Sequence, residues 1–154
     1  MTTLTLGKLR GLQQIANDNG IFTISALDHR GTLEKMLRQL RGGDSLPWEV
    51  VVEEKERLTR ALAPHSSALL YDPIYSVGPM LARGVVPGSV GILVAREQSG
   101  YESTAEGRVT VLQDGWSVEA IKRLGASAVK LLVLYHPEAP IAGRQEEIVQ
   151  QVAE

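Results

Sequence analysis

The chain has 154 residues and a mass of 16.7 kDa, enough for one domain and too little for two comfortable ones. Sixteen Lys+Arg against 18 Asp+Glu leave a formal charge of −2, without the basic surplus of a nucleic-acid binder. The lack of cysteine excludes disulfides, a thiolate nucleophile and thiolate metal ligands, and 44% hydrophobic with 22% charged residues is a globular composition.

Met1 to Gln14 contains no continuous apolar run of the kind a secretion signal needs. No stretch approaches the ~18 apolar residues of a membrane span. The expectation is a soluble, cytoplasmic protein without a membrane partner.

In chain order, residues 7–17 place Leu9, Leu12 and Ile15 on one face and predict a helix. The run Ile21–Leu27 then reads as a first strand. Leu33, Met36, Leu37 and Leu40 share one face of a helix over 32–40, and Gly42-Gly43 reads as a turn between helices. Asp44-Ser45 before Pro47 signals a new helix, with a cap residue and then proline in the first turn. That helix is expected to bury Val51, Val52, Leu58 and Leu62 and to stop at Pro64. Ala68–Tyr71 is a second apolar run, followed by a short helix over 78–83 closed by Gly84. Val90–Ala95 is the third run. Ser117 caps a helix carrying Val118, Ile121 and Leu124, which Gly125 ends. The fourth run, Ala128–Tyr135, precedes a final helix over 143–154. Trp48 and Trp116, at helix starts, are expected to pack as core or staple residues.

All four runs are apolar on both faces, as in strands covered on both sides. Their alternation with helices predicts an α/β fold with a parallel sheet, either open and doubly wound or part of a closed barrel. Both place a ligand where the carboxyl ends of the strands meet the following loops. Four strands are half of a (β/α)₈ barrel, which takes ~250 residues. The last helix also lacks a glycine, proline or basic stop signal, which suggests a chain cut from a longer one.

Charges sit at the strand mouths. Asp28 follows the first run and opens the polar sequence Asp28-His29-Arg30-Gly31; Asp72 follows the second run and Arg96-Glu97 the third. Asp72 precedes Pro73 and suits a turn-capping role, while Glu97 divides evenly between turn and site. Lys130 stands inside the fourth run, between Val129 and Leu131. Burying an ammonium is costly unless it is paired, which leaves two readings. Lys130 is a snorkelling or structurally paired residue, or it projects into a polar cavity facing Asp28 or Glu97. In the cavity it would hold a substrate oxygen, or have a depressed pKa suited to amine chemistry. His29, His65 and His136 lie in separate segments without metal-ligand spacing, and no G-x-G-x-x-G, Walker or G-x-S-x-G motif occurs.

Ser25–Gly31, Ser67–Pro73, Leu93–Tyr101 and Ala128–Tyr135, with Asp114–Ser117 before the last, carry a family resemblance. The chain resembles the class I, metal-independent tagatose-1,6-bisphosphate aldolases and their relatives that cleave sulfofructose phosphate. The resemblance implies a TIM-type (β/α)₈ barrel of which residues 1–154 supply the N-terminal half, with four βα units. It implies a sugar phosphate substrate, no metal or other cofactor, and Schiff-base chemistry in which a lysine amine attacks the ketone. Carried onto this sequence, Asp28 and Lys130 are the catalytic candidates. Asp28 bonds a substrate hydroxyl near the breaking bond, and Lys130 positions oxygens and tunes charge. His29, Arg30 and Glu97 are the substrate-binding candidates, and His29 replaces the glutamine usual in the family. The family's Schiff-base lysine belongs to a sixth barrel strand and a catalytic glutamate to the fifth, so the chain by itself is expected to be inactive. Two rivals remain: a half-barrel that self-associates in a binding role, and an open-sheet nucleotide binder. The second lacks a glycine-rich loop after the first strand. Oligomeric state, a homo-oligomer included, stays open.

Overall fold

The computed structural model describes residues 3–42 and 45–153. In chain order it comprises α1 (Leu6–Ile15), β1 (Ile24–Leu27), α2 (Gly31–Arg41), α3 (Trp48–Leu62), β2 (Ala68–Tyr71), α4 (Val77–Ala82), β3 (Gly91–Ala95), β4 (Glu102–Thr104), β5 (Gly107–Val109), α5 (Val118–Arg123), β6 (Ala128–Lys130) and α6 (Ala142–Ala153). Strands β1, β2, β3 and β6 form one parallel sheet in that order, as the alternation of apolar runs and helices predicts. Every crossover contains a helix.

Period-two alternation sorts the strand residues onto two faces. Leu27, Leu69, Tyr71, Val94 and Val129 turn towards the helices and pack with Val52, Val77, Met80 and Ile121 in one core. The alternate positions, Ala68, Leu70, Leu93, Ala95 and Lys130, belong to the opposite face. α1 lies across the amino ends of the strands, where close approach needs glycine. A Cβ on Gly91 would collide with the Gln14 carbonyl, and one on Gly11 with that of Ser127. Ser117 caps α5 as expected, its Oγ accepting from Ala120 N at 3.1 Å, and Gly125 follows with φ +98°.

Several expectations are corrected. Only β2 is buried at every position, whereas Ile24 and Ala26 of β1 are exposed. The physical reason is position: β1 and β6 are the outer strands, with no neighbour beyond them among the described residues. The same reason shortens the fourth run, because ladder pairing with β3 stops at Ala95–Lys130 and leaves Leu132, Leu134 and Tyr135 exposed. At the other edge Ile21 and Phe22 are exposed outside β1. On α1 only Ile15 of the expected stripe is buried, and on α2 only Leu33. α3 begins at Trp48 with Pro47 as its cap residue, so the proline precedes the first turn instead of standing in it, and Asp44 and Gly43 lie outside the described residues. Trp48 is exposed, donating its indole N–H to Ile74 O, while Trp116 packs against the core. The antiparallel pair β4–β5 was not anticipated.

Tyr71 fills the centre of the core with no exposed surface, its hydroxyl 3.0 Å from Thr59 Oγ1. Burial pushes the phenol up to about 12. A raised folded value means that its contribution to stability is complete below pH 10 and is lost as the pH rises towards 12. Tyr71→Phe is therefore expected to cost about 1 kcal/mol at neutral pH through the lost hydrogen bond. It should also flatten the alkaline fall in stability, as read by urea unfolding across pH 8–12.

Candidate active site

The alternation that sends Val94 and Val129 to the core sends Lys130 to the open face. Carried past the ends of β1 and β3, the same period brings Asp28 and Glu97 to that face. There the three side chains meet. Lys130 Nζ lies 2.8 Å from Asp28 Oδ2 and forms a short ion pair with Glu97 Oε1. The second Glu97 oxygen accepts from Leu132 N at 3.2 Å, so both carboxylate oxygens are engaged and the group is 5% exposed. Asp28 and Lys130 keep part of their surface open, and both line a cleft of about 140 Å³ at the carboxyl ends of the strands.

Burial of Lys130 favours loss of its proton, but the hydrogen bonds and charges of Asp28 and Glu97 outweigh it and raise the pKa above 10.5. The sequence reading that allowed a depressed, nucleophilic amine is corrected here: two anions hold Lys130 as an ammonium. A protonated amine can donate hydrogen bonds and stabilise negative charge, but it has no lone pair with which to attack a carbonyl.

The other predicted residues divide. His29 lines the cleft, and burial followed by the charge of Lys55 lowers its pKa, against the opposing pull of Asp28 and Asp72. Arg30 also borders the cleft, but its Nη2 donates to Glu97 O at 2.7 Å and its Nη1 reaches Gln113 Oε1 at 3.4 Å. These contacts make Arg30 a buried brace between the β1 and β3 ends. Asp72 fills its expected turn role, its Oδ1 accepting from Ile74 N at 2.8 Å and Tyr75 N at 2.6 Å.

Two features escaped the sequence reading. After β3 the chain folds into an antiparallel ribbon, with Gln98 N donating to Val111 O and Gln113 N to Arg96 O, before β4–β5. Gln98, Ser99 and Tyr101 from this ribbon close one wall of the cleft. The alternating β-branched residues of Val109-Thr110-Val111 were its available signal. The second is Lys55, wholly buried on α3 and 3.2 Å from Asp72 Oδ2. Its signal was register: Lys55 falls three and four residues after the buried Val52 and Val51, inside the apolar stripe.

Larger hollows exist elsewhere. One of about 410 Å³ lies at the amino ends of the strands beside Gly91 and Ser127, and one of about 420 Å³ lies between α5 and α6. Neither joins a buried carboxylate to an ammonium, and parallel α/β sheets bind ligands at the opposite end.

Parallel βα units with charged side chains gathered at the carboxyl ends of the strands define an α/β protein of the barrel-forming type. The DeoC/LacD family aldolase model matches residues 22–154, and the chain belongs to that family. It is 37% identical over 140 residues to a tagatose 1,6-diphosphate aldolase of Listeria monocytogenes, covering 91% of this chain and 40% of the relative. It is 36% identical over 150 residues to tagatose 1,6-diphosphate aldolase 2 of Enterococcus faecalis, covering 96% of this chain and 44% of the relative. The Streptococcus pyogenes enzyme of the same name is 33% identical over 133 residues, 86% of this chain and 39% of the relative. The chain thus spans about two fifths of the length of the curated relatives it matches.

Removing the cation strands a buried carboxylate. Lys130→Met is expected to cost about 2 kcal/mol, and Lys130→Met/Glu97→Gln to recover part of that loss, measured by chemical denaturation. Because the folded Lys130 pKa lies above 10.5, its contribution is complete at neutral pH and is lost as the pH climbs through the folded value. The difference between wild type and Lys130→Met should therefore shrink only above pH 10.5.

Proposed function

We propose that this chain supplies the first four βα units of a class I aldolase barrel acting on a ketose bisphosphate such as tagatose 1,6-bisphosphate. The products would be dihydroxyacetone phosphate and glyceraldehyde 3-phosphate. The observation that carries this reading is the Lys130 ammonium held between Asp28 and Glu97 at the strand mouths of a DeoC/LacD family chain. Both outer strands support completion by further units, since Ile24 of β1 and Leu132 and Leu134 beyond β6 are exposed.

In this reading the Schiff base forms on a lysine outside the present residues, as the family resemblance implies. Its iminium accepts the electron pair of the breaking C–C bond. Asp28, already anchored by Lys130, accepts the proton of the substrate hydroxyl that becomes the aldehyde. Lys130 offsets the charge near the sugar oxygens, and Glu97 keeps Lys130 protonated and oriented. His29 offers a further hydrogen bond to the sugar.

The test separates Lys130 from the nucleophile. With dihydroxyacetone phosphate and borohydride, the 154-residue chain should gain no stoichiometric adduct by intact mass. An adduct mapped to Lys130 would make Lys130 the Schiff-base residue and overturn the assignment. A protein carrying the remaining units should cleave at least one of tagatose bisphosphate, fructose bisphosphate and sulfofructose phosphate. Lys130→Met should lower its kcat/KM about a hundredfold. Cleavage of none of the three would refute the aldolase reading.

A further inference from the structure

Lys55 has no surface in contact with solvent, yet it lies close behind the cleft. Three acceptors surround its ammonium: Asp72 Oδ2 at 3.2 Å, His29 O at 2.6 Å and Leu27 O in a short bond. Two of the ammonium's protons are donated to the carbonyls, and the Asp72 carboxylate balances its charge as an ion pair. The two carbonyls belong to the residues on either side of Asp28. The ladder between β1 and β2 stops at Leu27 and Tyr71, so regular strand pairing does not extend to His29. Lys55 takes over where the sheet ends.

The carboxylate partner is itself fixed. Asp72 accepts from Ile74 N and Tyr75 N through Oδ1, and from Ser76 Oγ at 2.6 Å through Oδ2. A rigid turn after β2 therefore anchors Lys55, and Lys55 anchors the end of β1. Burial pushes the Lys55 pKa down and Asp72 opposes that shift, so the carboxylate helps to keep the group charged.

We infer that Lys55 is a positioning residue: from the buried side it clamps the backbone around Asp28 and so aims the Asp28 carboxylate at Lys130. This rests on the Lys130–Asp28 pair being the working part of the site, as proposed above. Asp28 is thereby held by two lysines, one on its flanking carbonyls and one on its side chain. A buried ion pair serving stability alone would leave the geometry of Asp28 untouched.

The test removes the pair together, as Lys55→Met/Asp72→Asn, which leaves the net charge of the pair at zero. Loss of both partners avoids stranding one buried charge, and asparagine keeps the Oδ1 acceptor for the turn. In protein labelled on its lysine side chains, the Lys130 titration is followed by NMR, with Lys130→Met identifying the signal. Displacement of Asp28 should lower the Lys130 midpoint by about half a pH unit or more. An unchanged midpoint in the folded double variant overturns the inference. If the double variant does not fold, the unsubstituted protein decides. Its Lys55 ammonium protons should be protected from exchange and show couplings across hydrogen bonds to the Leu27 and His29 carbonyl carbons. Rapid exchange without those couplings overturns the inference equally. Neither readout needs turnover, so a failure of the aldolase reading would show in the cleavage assay and not here.

Discussion

The site depends on the cost of placing an ammonium on the open face of a parallel sheet. Lys130 is flanked by apolar neighbours on β6, and burial by itself would drive it towards the neutral amine. Two carboxylates at the mouths of β1 and β3 reverse that preference. Their arrival is not a matter of chance contacts. Parallel pairing fixes which residues lie level across the sheet, and alternation fixes which face they take. A one-residue slip in β6 would send Lys130 into the apolar core and Val129 to the open face. The register of three strands and the charge state of one side chain are the same constraint seen from two sides.

A second lysine works from behind the sheet. Lys55 and Asp72 stabilise the ends of β1 and β2, while Lys130 and Glu97 tie β1 through Asp28 to β3 and β6. Arg30 adds a third tie, joining the start of α2 to the backbone of Glu97. The loops at the carboxyl ends are therefore cross-linked by charge-assisted hydrogen bonds rather than by further strand pairing. Such bonds are shorter and stronger than neutral ones, which suits a cleft that must keep its shape.

Much of this was legible in the sequence. The four apolar runs, the cap at Ser117 and the glycine at 125 located the strands and α5, because local pattern and local geometry agree there. Lys130 stood out because a charge inside an apolar run requires a partner, and position after a strand singled out Asp28 and Glu97. Three things were not legible. Strand extent depends on pairing, and the outer edges of β1 and β6 lack it, so apolar residues at 21–22 and 132–135 stay out of the sheet. The ribbon after β3 was hidden because its strands are only three residues long. The fate of Arg30 depended on a carbonyl 67 residues away, and no local pattern encodes that contact. Lys55 was readable from its register in the apolar stripe of α3, but only if a charged residue is admitted to a core position.

The central claim is that Asp28 and Glu97 together hold Lys130 as an ammonium at the strand mouths. Site-resolved titration of the Lys130 side chain in the unsubstituted protein, Asp28→Asn and Glu97→Gln tests it most directly. The account predicts a midpoint above 10.5 in the unsubstituted protein and a lower one in each variant. A midpoint at or below 10.5 that neither substitution moves would contradict it.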